Sequence, residues 1–267
     1  MDFAGKGFPF TESDLQSALA ALGLASSDLP VLWSVLTVES RGFGFLPDRR
    51  PKILFERHIF YAETSGRFAT QAPDLCAKTG GGYVGGAPEF DRLARALALC
   101  RAAGLGDEPA LRSASWGLGQ VMGFNAVAAG FQSAGDMVAK MCGSEAAQLA
   151  GMVGFMRSQG LDAQLRARNW AGFARSYNGS NYWKNQYDVK LKTSYEKFSA
   201  GITRDLRVRA AQGALLFLGY QPGDPDGVAG QNTRRALLAF RHDQQLGSSE
   251  QLDDAVFQAL MRKAGLA

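Results

Sequence analysis

Two glutamates in apolar surroundings, seventeen positions apart, are the first side chains in this sequence that suggest chemistry. Glu39 follows Val35 and Leu36 at spacings of four and three, so on a helix it falls on an apolar face. Loss of water around a carboxyl group favours its neutral form and raises its pKa, as a general acid requires near neutral pH. Glu56 lies in an equally apolar segment. Two carboxyl groups in different environments across a cleft are what hydrolysis of a glycosidic bond requires.

Each glutamate also has a structural interpretation. Glu39 stands near the expected end of its helix, where fraying would leave its carboxyl group in water. Glu56 is followed by Arg57, and Arg49 and Arg50 stand in the preceding turn, so a salt bridge with one of these arginines is the alternative to catalysis.

The elements that must position the two glutamates are predicted from the surrounding pattern. The sequence predicts a helix over residues 29–42, a Pro- and Arg-rich turn over 47–51 and an extended segment over 53–60. If that last segment is extended, Glu56 and His58 point to the same side. A helix, a reversal and a strand would then place the two carboxyl groups on opposite walls of one cleft.

The rest of the first 200 residues alternates predicted helices with polar loops. Periodic apolar residues predict helices over residues 12–24, 89–104, 133–142, 144–158 and 161–175. The glycine-rich stretch 79–86 lacks the Gly-Lys-Ser/Thr ending of a phosphate-binding loop, which argues against a nucleotide site. We expect either a mobile loop beside the cleft or a plain surface loop.

Two further segments have compositions typical of a ligand-binding surface. Residues 115–125 are small and glycine-rich and include Gln120, as where backbone packs close to a ligand; the alternative is the start of a helix capped by Ser115. Residues 176–187 interleave aromatic rings with amides. Rings stack on the C–H faces of pyranoses and amides bind their hydroxyl and acetamido groups, so this segment favours sugar recognition.

Four separated segments carry, in order, a resemblance to a known family: Val38-Glu39-Ser40, Ile53–His58, Ser115–Gln120 and Ser176–Gly179. They resemble the N-acetylmuramidase family found in endolysins of phages of Gram-negative bacteria, and more distantly goose-type lysozymes and soluble lytic transglycosylases. The resemblance covers roughly residues 10–198. It implies a lysozyme-like α+β catalytic domain with a small β element, acting on the glycan strands of peptidoglycan.

The resemblance also implies roles for individual residues. Glu39 would be the general acid, and Glu56 would act as a base or stabilise the positive charge that develops on the sugar. Substrate contacts are implied for Ser40, His58, Ser115, Gln120, Tyr177 and Asn178. In the family the hydroxyl of the Tyr-Asn pair can orient the acid, a role that the match gives to Tyr177. No cofactor is expected, and with only two histidines in the chain a zinc site is not expected either.

The pattern changes after residue 198, which predicts a catalytic domain over 1–198, a linker over 199–203 and a second domain over 204–267. Within the second domain, helices are predicted over 205–218, 232–246 and 253–264. The segment from Leu218 to Phe240 resembles the three-helix peptidoglycan-binding module of many wall hydrolases. The expected fold is therefore mainly α, with a C-terminal three-helix bundle.

Composition limits the partners. The formal net charge of +4 and pI near 9.0 suit an anionic cell wall, but the basic residues are scattered, so no nucleic acid partner is expected. No apolar run is long enough for a membrane span, so no stable membrane insertion is expected. Cys76, Cys100 and Cys142 have no close spacing and predict free buried thiols. We expect a monomer.

The first residues lack the apolar core of a secretory signal, so we expect synthesis in the host cytoplasm and delivery by another route. The family resemblance implies release through holin pores and action in the periplasm. Two alternative functions stay open. A lytic transglycosylase would use one glutamate and give anhydromuramyl products, and a non-catalytic protein would hold glycan with both modules.

Overall fold

The computed structural model of the protein describes residues 2–40 and 42–267, and the side chain of Ser40 lies outside that description. The described residues form thirteen α-helices and three short strands. The helices are α1 (Glu12–Ala21), α2 (Leu29–Ser40), α3 (Arg57–Glu63), α4 (Glu89–Ala102), α5 (Glu108–Arg112), α6 (Ala134–Gly143), α7 (Glu145–Ser158), α8 (Leu161–Arg166), α9 (Trp170–Tyr177), α10 (Tyr187–Ser199), α11 (Leu206–Phe217), α12 (Gln231–Asp243) and α13 (Asp254–Lys263). The strands are β1 (Ile53–Phe55), β2 (Ala114–Trp116) and β3 (Val121–Met122). The predicted mainly α fold with a small β element and a C-terminal helical bundle is confirmed.

Helix α2 forms the centre of the larger hydrophobic core. Val31, Leu32, Val35 and Leu36 on this helix are fully buried. Helix α10 packs along α2, but only Leu191 and Phe198 of α10 are buried. The sequence analysis does not predict α10, because two buried positions in a polar segment give too weak a periodicity.

The three strands form an antiparallel sheet in the order β1, β2, β3. Ile53 of β1 lies opposite Trp116 of β2, and Trp116 lies opposite Val121 of β3. Backbone hydrogen bonding extends this pairing, because Gly117 N donates to Lys52 O at 2.8 Å. The sheet therefore holds the turn between β2 and β3 beside the start of β1.

The extended conformation predicted for residues 53–60 is wrong beyond Phe55. Glu56 N still donates to Ser113 O, but α3 begins at the next residue and Phe60 N donates back to Glu56 O. Phe60 is fully buried, with its ring 5.5 Å from that of Phe55 and stacked 5.7 Å from that of Phe68. Burying Phe60 in this aromatic cluster outweighs the alternating pattern, so Glu56 becomes the residue at which the strand turns into a helix.

The helix predicted over residues 161–175 is interrupted between α8 and α9. Arg168 there has a left-handed backbone with φ of 52°. The side chain of Asn169 accepts a hydrogen bond from Gly172 N at 3.0 Å and so begins a new helix.

The C-terminal helices α11, α12 and α13 enclose a second hydrophobic core, formed by buried residues between 210 and 266. The first core draws on buried residues between 3 and 198. Aromatic contacts join the two units, because the Phe217 ring on α11 packs against Phe43 and Phe45 at centroid distances of 5.8 and 6.3 Å.

A buried ion pair fixes the two units together. Arg209 on α11 is 1% exposed and donates to both oxygens of Glu145 on α7, at 2.5 and 2.7 Å. Its guanidinium also donates to Gly42 O at 2.9 Å and lies 3.9 Å from the centroid of the Phe10 ring. Removing one partner of a buried pair costs about 3–5 kcal/mol, so this contact opposes separation of the units.

In the part of the chain that the structure describes, no single helix has the length and apolar character needed to cross a membrane. One bent pair, Glu12–Ala21 with Ser26–Glu39, meets the length and composition criteria when its helices are counted together, with a bend of 102° between them.

Candidate active site

Glu39 lies in the last turn of α2, where its side chain is partly buried at the wall of a cleft. The amide of Asn178, at the end of α9, donates to the two carboxyl oxygens at 3.1 and 3.3 Å. Burial raises the pKa of Glu39 to about 7, and the hydrogen bond from Asn178 opposes that rise. A carboxyl group with this pKa holds a proton over much of the range in which a general acid works.

Tyr177 does not make the contact with Glu39 that the resemblance implies. Its hydroxyl donates instead to Gly119 O at 2.6 Å, in the turn between β2 and β3, and its ring stacks on Phe173. Burial, with a smaller contribution from the nearby Glu39 carboxylate, raises the pKa of Tyr177 well above its ordinary value. Tyr177 therefore fixes the turn beside Glu39, whereas the direct contact with the acid comes from Asn178.

The amide of Gln120 is engaged within the protein. Gln120 has a left-handed backbone with φ of 47°, and its Nε2 donates to Gly117 O at 2.8 Å and to Lys52 O at 3.2 Å. Its Oε1 accepts from the buried hydroxyl of Ser115 at 2.9 Å. Gln120 lines the cleft, and its contacts hold the β2–β3 turn against the start of β1. The alternative of a helix capped by Ser115 is wrong, since this segment forms two strands.

Glu56 has different partners. Its side chain is 16% exposed, and the hydroxyl of Tyr83 donates to its two oxygens at 3.0 and 2.8 Å. Nδ1 of His58 lies 3.2 Å from Glu56 Oε2, on a side chain that is 40% exposed. The carboxylate is thus oriented by neutral or titratable groups and stays in contact with solvent.

The salt-bridge alternative for Glu56 is wrong in the described part of the chain. Arg57 donates to the carbonyls of Thr79 and Gly80 in the glycine-rich loop. Arg49 donates to two backbone carbonyls elsewhere, and Arg50 pairs with Asp48.

A buried ion pair anchors the loop that carries Tyr83. Glu89 and Arg92 on α4 pair at 2.9 Å, with side chains 0% and 8% exposed. Glu89 also accepts from the backbone N–H groups of Val84 and Gly85, at 2.7 and 3.0 Å, while Arg92 donates to Phe55 O at 2.9 Å. One pair of side chains thus holds the glycine-rich loop and the end of β1 together, which brings Tyr83 to Glu56.

The cleft has a volume of about 610 Å³. Its lining includes Glu39, Gln120, Leu54 and Gly85. Glu56 stands two residues beyond Leu54. Asp224, from the C-terminal unit, also lines the cleft.

The structure thus groups the predicted site residues into two sets. Glu39, Asn178, Tyr177, Gln120 and Ser115 form one set around the β2–β3 turn, and Glu56 with His58 forms the other. The predicted contact from Ser40 lies outside the described residues.

Sequence reasoning missed two residues of the site. Tyr83 stands in a run of glycines, where a single aromatic residue is the only signal that the loop contacts anything. Asp224 belongs to the turn before α12, more than 180 residues from Glu39, and no sequence pattern links the two.

The described residues contain no group of three or more His, Cys, Asp or Glu side chains that could hold a metal ion. The three cysteines are free and buried, as predicted, and burial raises the pKa of Cys100 to about 11 and that of Cys142 to about 12. Thiols with such pKa values are poor nucleophiles at neutral pH.

Comparison with known proteins places the chain among the glycoside hydrolases. The sequence model of the N-acetylmuramidase family matches residues 28–199, and that of a peptidoglycan binding domain matches residues 204–260. The crystal structure of the Burkholderia AP3 phage endolysin is 40% identical in sequence with a TM-score of 0.63, over 72% of this chain and 71% of that one. None of the curated proteins compared with the chain matches it significantly. The chain belongs to the N-acetylmuramidase family and is a peptidoglycan hydrolase.

Proposed function

We propose that the protein cleaves the β-1,4 bond between N-acetylmuramic acid and N-acetylglucosamine by general acid/base catalysis. The observation that carries the proposal is the raised pKa of Glu39, about 7, on the wall of a sugar-sized cleft. Glu39 gives its proton to the oxygen of the leaving sugar, and Asn178 keeps the carboxyl group oriented toward the cleft.

Glu56 acts as the second carboxylate. It either activates a water molecule on the opposite face of the sugar or stabilises the oxocarbenium-like centre. The hydroxyl of Tyr83 orients it through bonds to both oxygens, and β1 and α3 fix its backbone. A lytic transglycosylase does not need this second carboxylate, so the ordered placement of Glu56 favours hydrolysis.

The remaining predicted residues divide between binding and positioning. Ser40, His58 and Asn178 are proposed substrate contacts, with Asn178 also contacting the acid. The other three predicted residues are Ser115, Gln120 and Tyr177. Their polar groups bond within the protein, so they affect substrate binding chiefly by holding the β2–β3 turn at the cleft.

The same proposal covers the biological setting. The two family matches and the phage endolysin neighbour support an endolysin that acts on the cell wall of a Gram-negative host. Its domains are proposed to be 1–198 and 204–267, joined by residues 199–203. A monomeric state, delivery through holin-type pores and action in the periplasm are further parts of this proposal.

Mass spectrometry of the muropeptides released from purified sacculi tests the proposed reaction. Hydrolysis of the muramyl bond gives reducing N-acetylmuramic acid ends, and these are the expected products. Anhydromuramyl ends would instead identify a transglycosylase, and products cut in the peptide would reject glycoside cleavage. Sacculi treated with the Glu39→Gln variant provide the matched blank.

A further inference from the structure

The cleft continues onto the C-terminal unit. Asp224, in the turn before α12, lines the 610 Å³ cleft that contains Glu39. It also lines a second cavity of about 390 Å³ on the C-terminal unit, with Asn232 and Thr233 on that cavity's wall. One exposed side chain is thus shared by the catalytic cleft and by a groove on the peptidoglycan-binding domain.

The contacts between the two units hold these cavities in a fixed relation. A Cβ atom built on Gly42 would lie 3.5 Å from Pro225 O and 3.7 Å from Asp226 Cα, so the turn next to Asp224 packs on the chain just after α2. Arg209, which like Asp224 belongs to the C-terminal unit, donates to Gly42 O and to buried Glu145 of the first unit. The groove therefore keeps its place beside Glu39.

The groove offers polar groups that are available to a ligand. Among the described residues, neither the carboxylate of Asp224 nor the side-chain amide of Asn232 has a hydrogen-bond or salt-bridge partner, and both side chains are exposed. In contrast, Thr233 donates to Pro222 O and Gln212 donates to Thr233, so these two residues build the wall of the groove. A carboxylate and an amide are suited to the hydroxyl and acetamido groups of amino sugars.

We propose that one glycan strand of peptidoglycan occupies both cavities at once, passing from the catalytic cleft over Asp224 into the groove that contains Asn232. This proposal rests on the proposed function of the cleft. The C-terminal domain then acts as an extension of the substrate site that aligns the strand with Glu39. A flexibly tethered module would only raise the local concentration of enzyme on the wall.

The consequence is a dependence on substrate length. A short oligosaccharide fills the cleft alone and does not reach Asn232, whereas a long strand passes Asp224 and gains the contact with Asn232. Loss of the contact with Asn232 should therefore raise KM for long strands without changing kcat, because Asn232 lies outside the cleft that contains Glu39.

Asp224→Ala and Asn232→Ala are tested in the full chain on peptide-free glycan strands fractionated by length. Asn232→Ala should raise KM for long strands about fivefold, as expected for one lost hydrogen bond, and leave KM for tetrasaccharides and kcat for both substrates unchanged. Asp224→Ala should raise KM for long strands as well, and because Asp224 also lines the cleft its effect on tetrasaccharides is measured separately. Glu250→Ala is the matched control, because Glu250 is an exposed acid of the same domain that lines a different cavity and has no described partner. It should behave as the wild type on both substrates.

Three results would overturn the proposal that one strand occupies both cavities. These are an unchanged KM for long strands in Asn232→Ala, an equal rise in its KM on short and long substrates, or the same rise in Glu250→Ala. If the wild type releases no sugar from either substrate, the proposed reaction fails, and binding of length-fractionated strands to the Glu39→Gln background then tests the occupation of both cavities alone. Weaker binding of long strands after Asn232→Ala supports it, and equal binding contradicts it.

Discussion

The segments that carry the two glutamates, called here the first wall (Glu39) and the second wall (Glu56), hold their carboxyl groups in opposite ways. Glu39 stands at the end of the apolar helix α2, with one amide donor and a pKa raised by burial to about 7. Glu56 stands where β1 turns into α3, with a phenol donor, an imidazole at 3.2 Å and access to solvent. Chemically identical side chains thus receive one environment in which burial favours a retained proton and another that offers hydrogen bonds and contact with solvent.

This difference is the basis of the proposed roles, in which Glu39 is the acid and Glu56 is the second carboxylate. The acid owes its state to the apolar core, which the sequence places around α2. The second carboxylate owes its orientation to a loop that the buried Glu89–Arg92 pair anchors. The first wall therefore depends on burial and the second on specific hydrogen bonds.

Of the substitutions in the two glutamates, Glu39→Gln should lower the rate of cell lysis most. The amide keeps the size of the side chain but supplies no proton, so the rate of turbidity loss of outer-membrane-stripped Gram-negative cells should fall by up to about 10⁴-fold. Binding to sacculi, measured by co-sedimentation, should stay at the wild-type level. Lysis close to the wild-type rate would remove Glu39 from the mechanism.

The pH dependence of folding stability in the wild type and in Glu39→Gln tests the raised pKa of Glu39. The folded-state pKa of Glu39 is about 7, above its ordinary value of 4.5, so the folded protein binds the extra proton between these pH values. Wild-type stability should therefore fall, relative to Glu39→Gln, as pH rises from about 4.5 to about 7, by up to about 3 kcal/mol. Denaturant unfolding at pH 4 and pH 8 measures this difference, and a less stable variant at pH 8 would argue against a buried acid.

Glu56→Gln should have a smaller effect. It keeps the hydrogen-bonding shape of the second wall but removes the charge, so cleavage should slow by about 10²-fold while KM changes little. Initial rates on soluble glycan strands measure this change. An unaffected rate accompanied by anhydromuramyl products would show that the second wall has no chemical role and that the enzyme is a transglycosylase.

The sequence predicts the first wall better than the second. Glu39 is found because helical spacing places a carboxyl group among Val35 and Leu36, which are fully buried. The strand that carries Glu56 is predicted too long, because the pattern of 53–60 does not reveal that Phe60 joins an aromatic cluster with Phe55. Local periodicity describes the helix but not the point where a strand ends.

Contacts between distant segments account for the rest of what the sequence does not predict. Tyr83 reaches Glu56 across 27 residues through a loop whose shape depends on Glu89, a residue that reads as the ordinary start of a helix. Arg209 lies on α11, which the sequence places in the C-terminal bundle, and nothing in its spacing points to Glu145. The contacts of Arg209 hold the C-terminal domain in place, and Asp224 of that domain lines the cleft. This arrangement becomes evident only in the folded chain.

Direct titration of Glu39 tests the central claim, that burial keeps this carboxyl group protonated at working pH. NMR of protein labelled with ¹³C at the glutamate side-chain carboxyl carbon, with Glu39→Gln used to assign the signal, gives its pKa. We expect a midpoint near 7. A midpoint near the ordinary value of 4.5 would contradict it, because the acid would then be ionised when the bond must break.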